Sequence, residues 1–338
     1  MPSLAPGARR AAPRPRSALA LIALLAIGAQ AAAPGASLSY AERLGWPAGT
    51  RVLILHVDDA GMSLDSNRGT IRAIEDGIAT SLSVMMPTPW VPHIVAWIRE
   101  HPRHDAGLHL TLTSEWDNYR WEPLTGRRAA GLIDSEGAFW PTVEQVVANA
   151  SADEVAAEIR AQLERARAMG FEPTHLDSHM GTLFAHPDFL ARYLELGMAE
   201  GIPVMFPAGH NYFITRQNPQ ATTLGHVGEQ LWAAGLPVLD DLHNYSYGWA
   251  RQDKTDNYVD AVRQLRPGVT MMILHATEPT EVFASISDSG PSRLGDLEAM
   301  LDPRLAAAIR DEGIVLTTWR ELMRRRQAVG DGCHTCGR

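Results

Sequence analysis

Apolar residues recur along this chain in short runs that alternate with longer stretches of helical periodicity. The runs are RVLILHV (51–57), ATSLSVMM (79–86), AGLHLTL (106–112), PTHLDSH (173–179), PVMFP (203–207), PVLDDLH (237–243), VTMMILHA (269–276) and IVLTT (314–318). Each has the length of a strand. Between them lie amphipathic helical patterns. Residues 151–170 begin at Ser151, carry acids in the first turn and arginines near the end, and close on Gly170, the expected order of helix start and stop signals. Residues 186–201 and 305–313 also end in glycine. This βα alternation predicts parallel strands covered by helices. The expected fold class is α/β: a (β/α) TIM-like barrel of seven to eight parallel strands, in a single domain. An open doubly wound sheet is the alternative. Residues 113–149, rich in Trp, Gly and Pro, break the rhythm and read as a long insertion after strand three.

The N-terminus departs from this pattern. Arg9, Arg10, Arg14 and Arg16 precede an apolar stretch at 18–29, which ends in Ala29-Gln30-Ala31. That is the order of a secretory signal peptide, and the apolar stretch is short for a membrane span. The expected divisions are a signal peptide at 1–31, a lead-in at 32–50, the barrel at 51–327 and a flexible tail at 328–338. The mature protein is then exported, periplasmic or secreted, with an uncleaved anchor as the alternative.

Composition narrows the function classes. Of 338 residues, 45% are hydrophobic and 20% charged, an ordinary globular balance. The net charge of −9, with no basic stripe in the body of the chain, argues against a nucleic-acid partner. The two cysteines, Cys333 and Cys336, stand at the C-terminal end, so the fold does not depend on a disulfide framework.

The candidate chemistry falls at strand ends, where barrels of this kind carry their active sites. Asp58 and Asp59 close the first run and His109 lies in the third. His175, Asp177 and His179 lie in the fourth, and His275 closes the seventh. Residues two apart share one face of a strand, and polar groups at that period inside an α/β core are costly unless paired or metal-bound. One carboxylate and two imidazoles make a ligand set that leaves positions for water and substrate. One aspartate of the pair would hold a metal and the other would take a proton. His175 and Asp177 would orient the ligands.

Four stretches carry a family resemblance: VDDAGMSLDSNRGTIRAIEDGIATSLSVM (57–85), GLHLTLT (107–113), HLDSH (175–179) and ILH (273–275). Over roughly Arg51 to Leu322 the chain resembles the YdjC-like carbohydrate deacetylases, the chitooligosaccharide deacetylase group. The resemblance implies a deacetylase-type (β/α) barrel that removes acetyl groups from N-acetylated sugars with one divalent metal ion. It makes Asp59, His109 and His179 the metal ligands, Asp58 the catalytic base and His275 the general acid, acting in its charged form. The metal is zinc or magnesium, with manganese and cobalt also open; imidazole ligands favour zinc, and magnesium prefers oxygen. The sequence departs from the family pattern at Ala60, where phenylalanine is usual, at Met180-Gly181 and at Ala276-Thr277-Glu278. These positions line the rim, so they bear on which sugar is bound.

Trp116, Trp121 and Trp140 of the insertion, and Tyr247 after strand six, are candidate sugar-packing aromatics, with local loop core as the alternative. The expected partner is an N-acetylated sugar or oligosaccharide, without nucleic acid or stable membrane insertion, and a homodimer is left open. Two rival functions remain: a non-catalytic sugar-binding barrel protein, and a metal-dependent esterase on the same fold.

Overall fold

A computed structural model describes residues 38–217, 219 and 225–331. The signal peptide expected at 1–31 and the Cys333/Cys336 pair lie outside the described residues. Among the described residues seven strands form one sheet: β1 (Arg51–Ala60), β2 (Ser81–Val84), β3 (Ala106–Leu110), β4 (Leu176–Ser178), β5 (Asp241–His243), β6 (Gly268–Leu274) and β7 (Val315–Leu316). Every pairing is parallel, in the order β4-β3-β2-β1-β6-β5, with β7 on β1. Residues 203–208 lie between the two ends of that order. Isolated parallel bridges tie Val204 to Leu176 and Pro207 to Leu239, so the sheet curls into a distorted (β/α) barrel.

Two expected strands come out differently. PVMFP (203–207) makes only those single bridges, because Pro203 and Pro207 have no amide hydrogen to give a ladder. IVLTT (314–318) pairs only at Val52–Leu53 on β1 and does not form an eighth stave.

The helices α1 (Tyr40–Arg43), α2 (Leu64–Glu75), α3 (Val91–Glu100), α4 (Val143–Asn149), α5 (Ala152–Ala168) and α6 (Pro187–Glu200) occupy the first part of the chain. The rest are α7 (Tyr212–Gln217), α8 (Gly225–Ala233), α9 (Lys254–Arg263), α10 (Gly290–Leu301), α11 (Pro303–Asp311) and α12 (Trp319–Asp331). Their ends follow the sequence signals. Ser151 and Glu154 form a reciprocal capping box on α5, and α6 stops at Gly201, which takes the left-handed conformation at φ 65°. Helix α12 runs to Asp331, past the expected domain end at 327. No described helix is long and apolar enough to cross a membrane.

Burial on β1 divides by parity. Leu53, Leu55 and Val57 pack into the large cluster that includes Ala73, Ile94, Val262 and Leu305 from the surrounding helices. Val52 and Ile54 face the other way, into a smaller cluster with Met205, Leu239, Met271, Ile273 and Trp319. His56 and Asp58 continue that inner row. The barrel interior is therefore apolar low down and turns polar towards the C-terminal ends of the strands. The lead-in closes the low end: Asp240 accepts from Tyr40 N at 2.9 Å and from Ala41 N at 3.2 Å.

Candidate metal and catalytic site

A strand that kept its alternation would send Asp58 and Asp59 to opposite faces. Here the β1–β2 register shifts between Val57 and Ala60, and Asp59 takes φ 65°. The bulge re-aims the side chains, and both carboxylates line one cavity of about 560 Å³. A left-handed non-glycine residue is strained by about 1–3 kcal/mol and is kept only where its surroundings hold it.

Those surroundings are specific. Asp59 Oδ1 lies 3.4 Å from His109 Nε2 and 3.2 Å from His179 Nδ1, and all three residues are buried. No described residue makes a hydrogen bond of good geometry to that oxygen. An anionic oxygen left without a well-aligned partner in a dry site is costly. One carboxylate and two imidazoles converging there fit a divalent ion with mixed nitrogen and oxygen preference. Each imidazole is aimed by a second carboxylate. Asp177 Oδ1 holds His109 Nδ1 at 2.7 Å, and Glu115 Oε1 holds His179 Nε2 at 2.9 Å. The ring nitrogen left over in each case points to Asp59, the usual carboxylate–imidazole–metal order. Glu115, in the TLTSE stretch after β3, was missed by sequence reasoning, since nothing local links it to His179.

Asp58 sits among three histidines. His56 Nε2 is 3.1 Å from its Oδ1, and His109 Nε2 and His275 Nε2 lie 3.7 and 3.9 Å from its Oδ2. His56 also reaches Asp177 Oδ2 at 2.9 Å and the hydroxyls of Ser81 and Ser83. It was missed too, although its place two residues before Asp58 on an apolar strand was a legible signal. His175 is one layer lower than expected. It stacks on Trp319 at 5.2 Å, bonds Thr174 Oγ1 and stays 3.7 Å from Asp177 Oδ2. It therefore supports the layer beneath the site and does not orient a ligand directly. Gly107 makes room for it: a Cβ there would meet the His175 ring at 2.4 Å.

Arg293, on α10, is the largest omission. Its Nη1 donates to Asp59 Oδ2 at 2.7 Å, its Nε to Ser289 Oγ at 2.8 Å, and its guanidinium lies over the Trp116 and Tyr247 rings. One turn on, Asp296 accepts from His275 N at 3.0 Å and from Lys254 Nζ at 2.6 Å. One helix thus holds both Asp59 and the segment carrying His275. A buried arginine in GPSRLGD has no sequence signal, because its partner is 234 residues away.

The charges follow from these contacts. Burial opposes ionisation of Asp59, but Arg293, His109 and His179 outweigh it and hold the carboxyl well below the usual range. Burial likewise opposes charging of His56 and His179. Asp177 and Asp58 lift the first to about 9, and Glu115 and Asp59 lift the second to about 9. His109 is likewise raised well above its usual value, by Asp58 and Asp177 against the opposition of burial. His275 moves the other way: burial, reinforced by Arg293, lowers it. The sequence reading had it acting from its charged form, whereas the metal-free chain holds it neutral near pH 7.

The aromatic expectations divide. Trp116 and Tyr247 line the cavity. Trp121 is buried and donates Nε1–H to Thr113 O at 3.0 Å, and Trp140 donates to Gly131 O at 2.8 Å. Those two do not line this cavity; they hold the segment after β3 together. Most of the remaining wall is apolar, with Met205, Leu242 and Ile273 prominent, and Ser178 and Asn244 add polar groups to it.

A carboxylate–bis-imidazole group beside a second, free carboxylate and a histidine, at the strand ends of a (β/α) barrel, defines the class of metal-assisted hydrolases. Comparison with known proteins places the chain in a family. The profile of the YdjC-like protein family matches residues 52–311, and the chain belongs to that family. It is 32% identical over 279 residues to the carbohydrate deacetylase of Thermus thermophilus, covering 82% of this chain and 96% of that one. It is 26% identical over 272 residues to the carbohydrate deacetylase of Geobacillus stearothermophilus, covering 80% and 98%. Among solved structures, a candidate cellobiose-phosphate cleavage protein from Enterococcus faecalis superposes with a TM-score of 0.68 at 21% identity, over 81% of this chain and 99% of that one. That last likeness concerns the fold.

Proposed function

We propose that this protein is a metal-dependent carbohydrate deacetylase that hydrolyses the N-acetyl group of an amino sugar or oligosaccharide. The observation that carries the reading is Asp59 Oδ1, buried between His109 Nε2 and His179 Nδ1 without a well-aligned hydrogen bond from any described residue. Family membership supports a hydrolase of the amide bond in an acetylated sugar. Asp59, His109 and His179 would hold the ion. A divalent ion there supplies Lewis acidity at the acetyl carbonyl and acidifies water. The donor set favours zinc over magnesium.

The chain's own residues handle the protons. Asp58 accepts a proton from the attacking water. His275, neutral at rest, takes up a proton before it acts, and Asp58 Oδ2 at 3.9 Å from its Nε2 is the nearest carboxylate in the cavity. It then gives that proton to the departing nitrogen as the C–N bond breaks, because an amine leaves badly as an anion. The products are acetate and the free amino sugar. Trp116 and Tyr247 pack on the sugar. The leader expected at 1–31 would place the enzyme outside the cytoplasm, and N-terminal sequencing of exported protein beginning near Ala32 would check this.

The test is acetate release by protein stripped of metal and then given zinc, manganese, cobalt or magnesium. N-acetylglucosamine oligomers and an acetyl ester serve as substrates. Metal-restored release from the amide is expected. Release from the ester alone would make the protein an esterase, and tight metal binding without release from either would overturn the catalytic reading.

A further inference from the structure

A second cavity, of about 520 Å³, opens beside the first. It is built by segments that follow strands: Arg68 after β1, Trp90 after β2, Asn118 and Tyr119 after β3, and Val282 after β6. It therefore lies at the catalytic end of the barrel. The two cavities share a wall. An isolated antiparallel bridge joins Trp116 to Tyr119, and this turn puts Trp116 in the first cavity and Tyr119 in the second.

Trp90 is the unusual residue. The residue is 39% exposed, yet its backbone is held on both sides. Its N–H donates to Gly61 O at 3.0 Å, and its C=O accepts from Asn67 Nδ2 at 3.0 Å. Asn67 Oδ1 in turn takes the Gly61 N–H at 2.6 Å. Gly61 stands two residues after Asp59, so Trp90 is fixed relative to the reactive aspartates. Among aromatic rings its closest described neighbour is His93, edge-on at 6.2 Å. Core packing does not account for a large aromatic left open on so well braced a backbone. A rigid aromatic loses little freedom when a ligand covers it, which makes it an effective anchor.

The lining has two characters. Trp90, Tyr119 and Val282 are apolar, and Arg68 and Asn118 bring a guanidinium and an amide. A pyranose ring divides the same way, with apolar C–H faces and hydroxyl edges. The volume lies in the usual range for small-ligand sites. We propose that this second cavity is a subsite for a neighbouring pyranose of an oligosaccharide whose acetamido unit occupies the first cavity, with Trp90 as its platform. The proposal rests on the deacetylase reading and adds to it a second sugar position, built on Trp90 beside the one that holds the acetamido unit.

The experiment compares wild-type protein with Trp90→Ala on N-acetylglucosamine and on its linear trimer. Trp90→Ala is expected to raise KM for the trimer about tenfold, the usual scale for losing an aromatic anchor, with kcat little changed. Kinetics on the monomer should not move, and Trp90→Phe should restore most of the loss. An unchanged trimer-to-monomer ratio of kcat/KM in Trp90→Ala would overturn the subsite. Calorimetric titration of the trimer into Asp58→Asn protein, with and without Trp90→Ala, reads binding apart from chemistry. A tenfold weaker titration supports the subsite, and equal affinity or no binding in either protein overturns it. If wild-type protein releases no acetate while the trimer still binds through Trp90, the deacetylase reading fails and the subsite stands.

Discussion

The two sides of the barrel interior are made of different materials. Along β1 to β4, above Val52 and Ile54, it is polar: His56, Asp58, Ser81, Ser83, His109, His175 and Asp177 are all buried. Along residues 203–208, β5 and β6 it is apolar, with Met205, Leu242, Met271 and Ile273. The polar side is a continuous parallel ladder, from β4 to β1. Four adjacent strands in fixed register are what place Asp59, His109 and His179 within reach of one atom. On the apolar side β5 and β6 are still laddered, but residues 203–208 are bridged only at single residues, and this side supplies the wall of a cavity. Coordinating an ion demands rigid, mutually aimed groups. A wall that only excludes water and receives substrate tolerates a looser frame.

The sharpest break in that comparison is Asp58→Asn. Turnover should fall by about 10²–10⁴-fold, the usual worth of a positioned base, while metal content, measured by atomic absorption, stays near wild type. Loss of the metal along with the activity would merge the two aspartates into one role.

His56→Phe comes next. It leaves Asp177 Oδ2 and Asp58 Oδ1 without their imidazole partner. Breaking a buried charged network costs about 3–5 kcal/mol, so urea unfolding should show a loss of that order together with weaker metal binding. The counterpart on the apolar side, Ile273→Val, removes one buried methylene. It should cost about 0.5–1.5 kcal/mol and leave metal affinity alone. Equal effects of the two substitutions on metal affinity would erase the distinction between the sides.

Acidity gives a further test of the polar side. Metal binding requires neutral imidazoles. In the metal-free chain His179 keeps its proton to about 9, and His109 is also raised well above its usual value. Affinity should therefore climb from pH 6.5 to 9, by up to about tenfold per unit for each proton displaced. Calorimetry in buffers of different ionisation enthalpy should detect the released protons. The same shifts set stability. His56 is raised from 6.5 to about 9, so its contribution is complete below 6.5 and is lost as the pH rises through about 9. Metal-free protein should accordingly melt lower at pH 9.5 than at pH 6.5, and a flat melting profile would contradict the assigned pairing.

Part of this was legible in the chain. The runs at 51–57, 106–112 and 269–276 became β1, β3 and β6 because apolar β-rich segments bury well wherever they fall. Asp58, Asp59, His109 and His179 stood out because polar residues at strand ends need a reason to be there. The runs at 203–207 and 314–318 misled, since a short apolar run states its wish for burial but not whether a ladder partner is free. Trp121 and Trp140 misled in the same way: an aromatic residue announces that it will pack, but not against what.

By itself the sequence determined the alternation of elements, the family and the reactive residue types. These are properties of local periodicity and of side-chain chemistry. The tertiary structure decided that Asp58 and Asp59 share one cavity, through a bulge and a left-handed residue that alternation alone would forbid. It also decided that Arg293 grips Asp59, that Glu115 aims His179 and that His56 joins Asp58 to Asp177. Those contacts join residues remote in the chain, and their energies arise only when folding excludes water and brings the charges together.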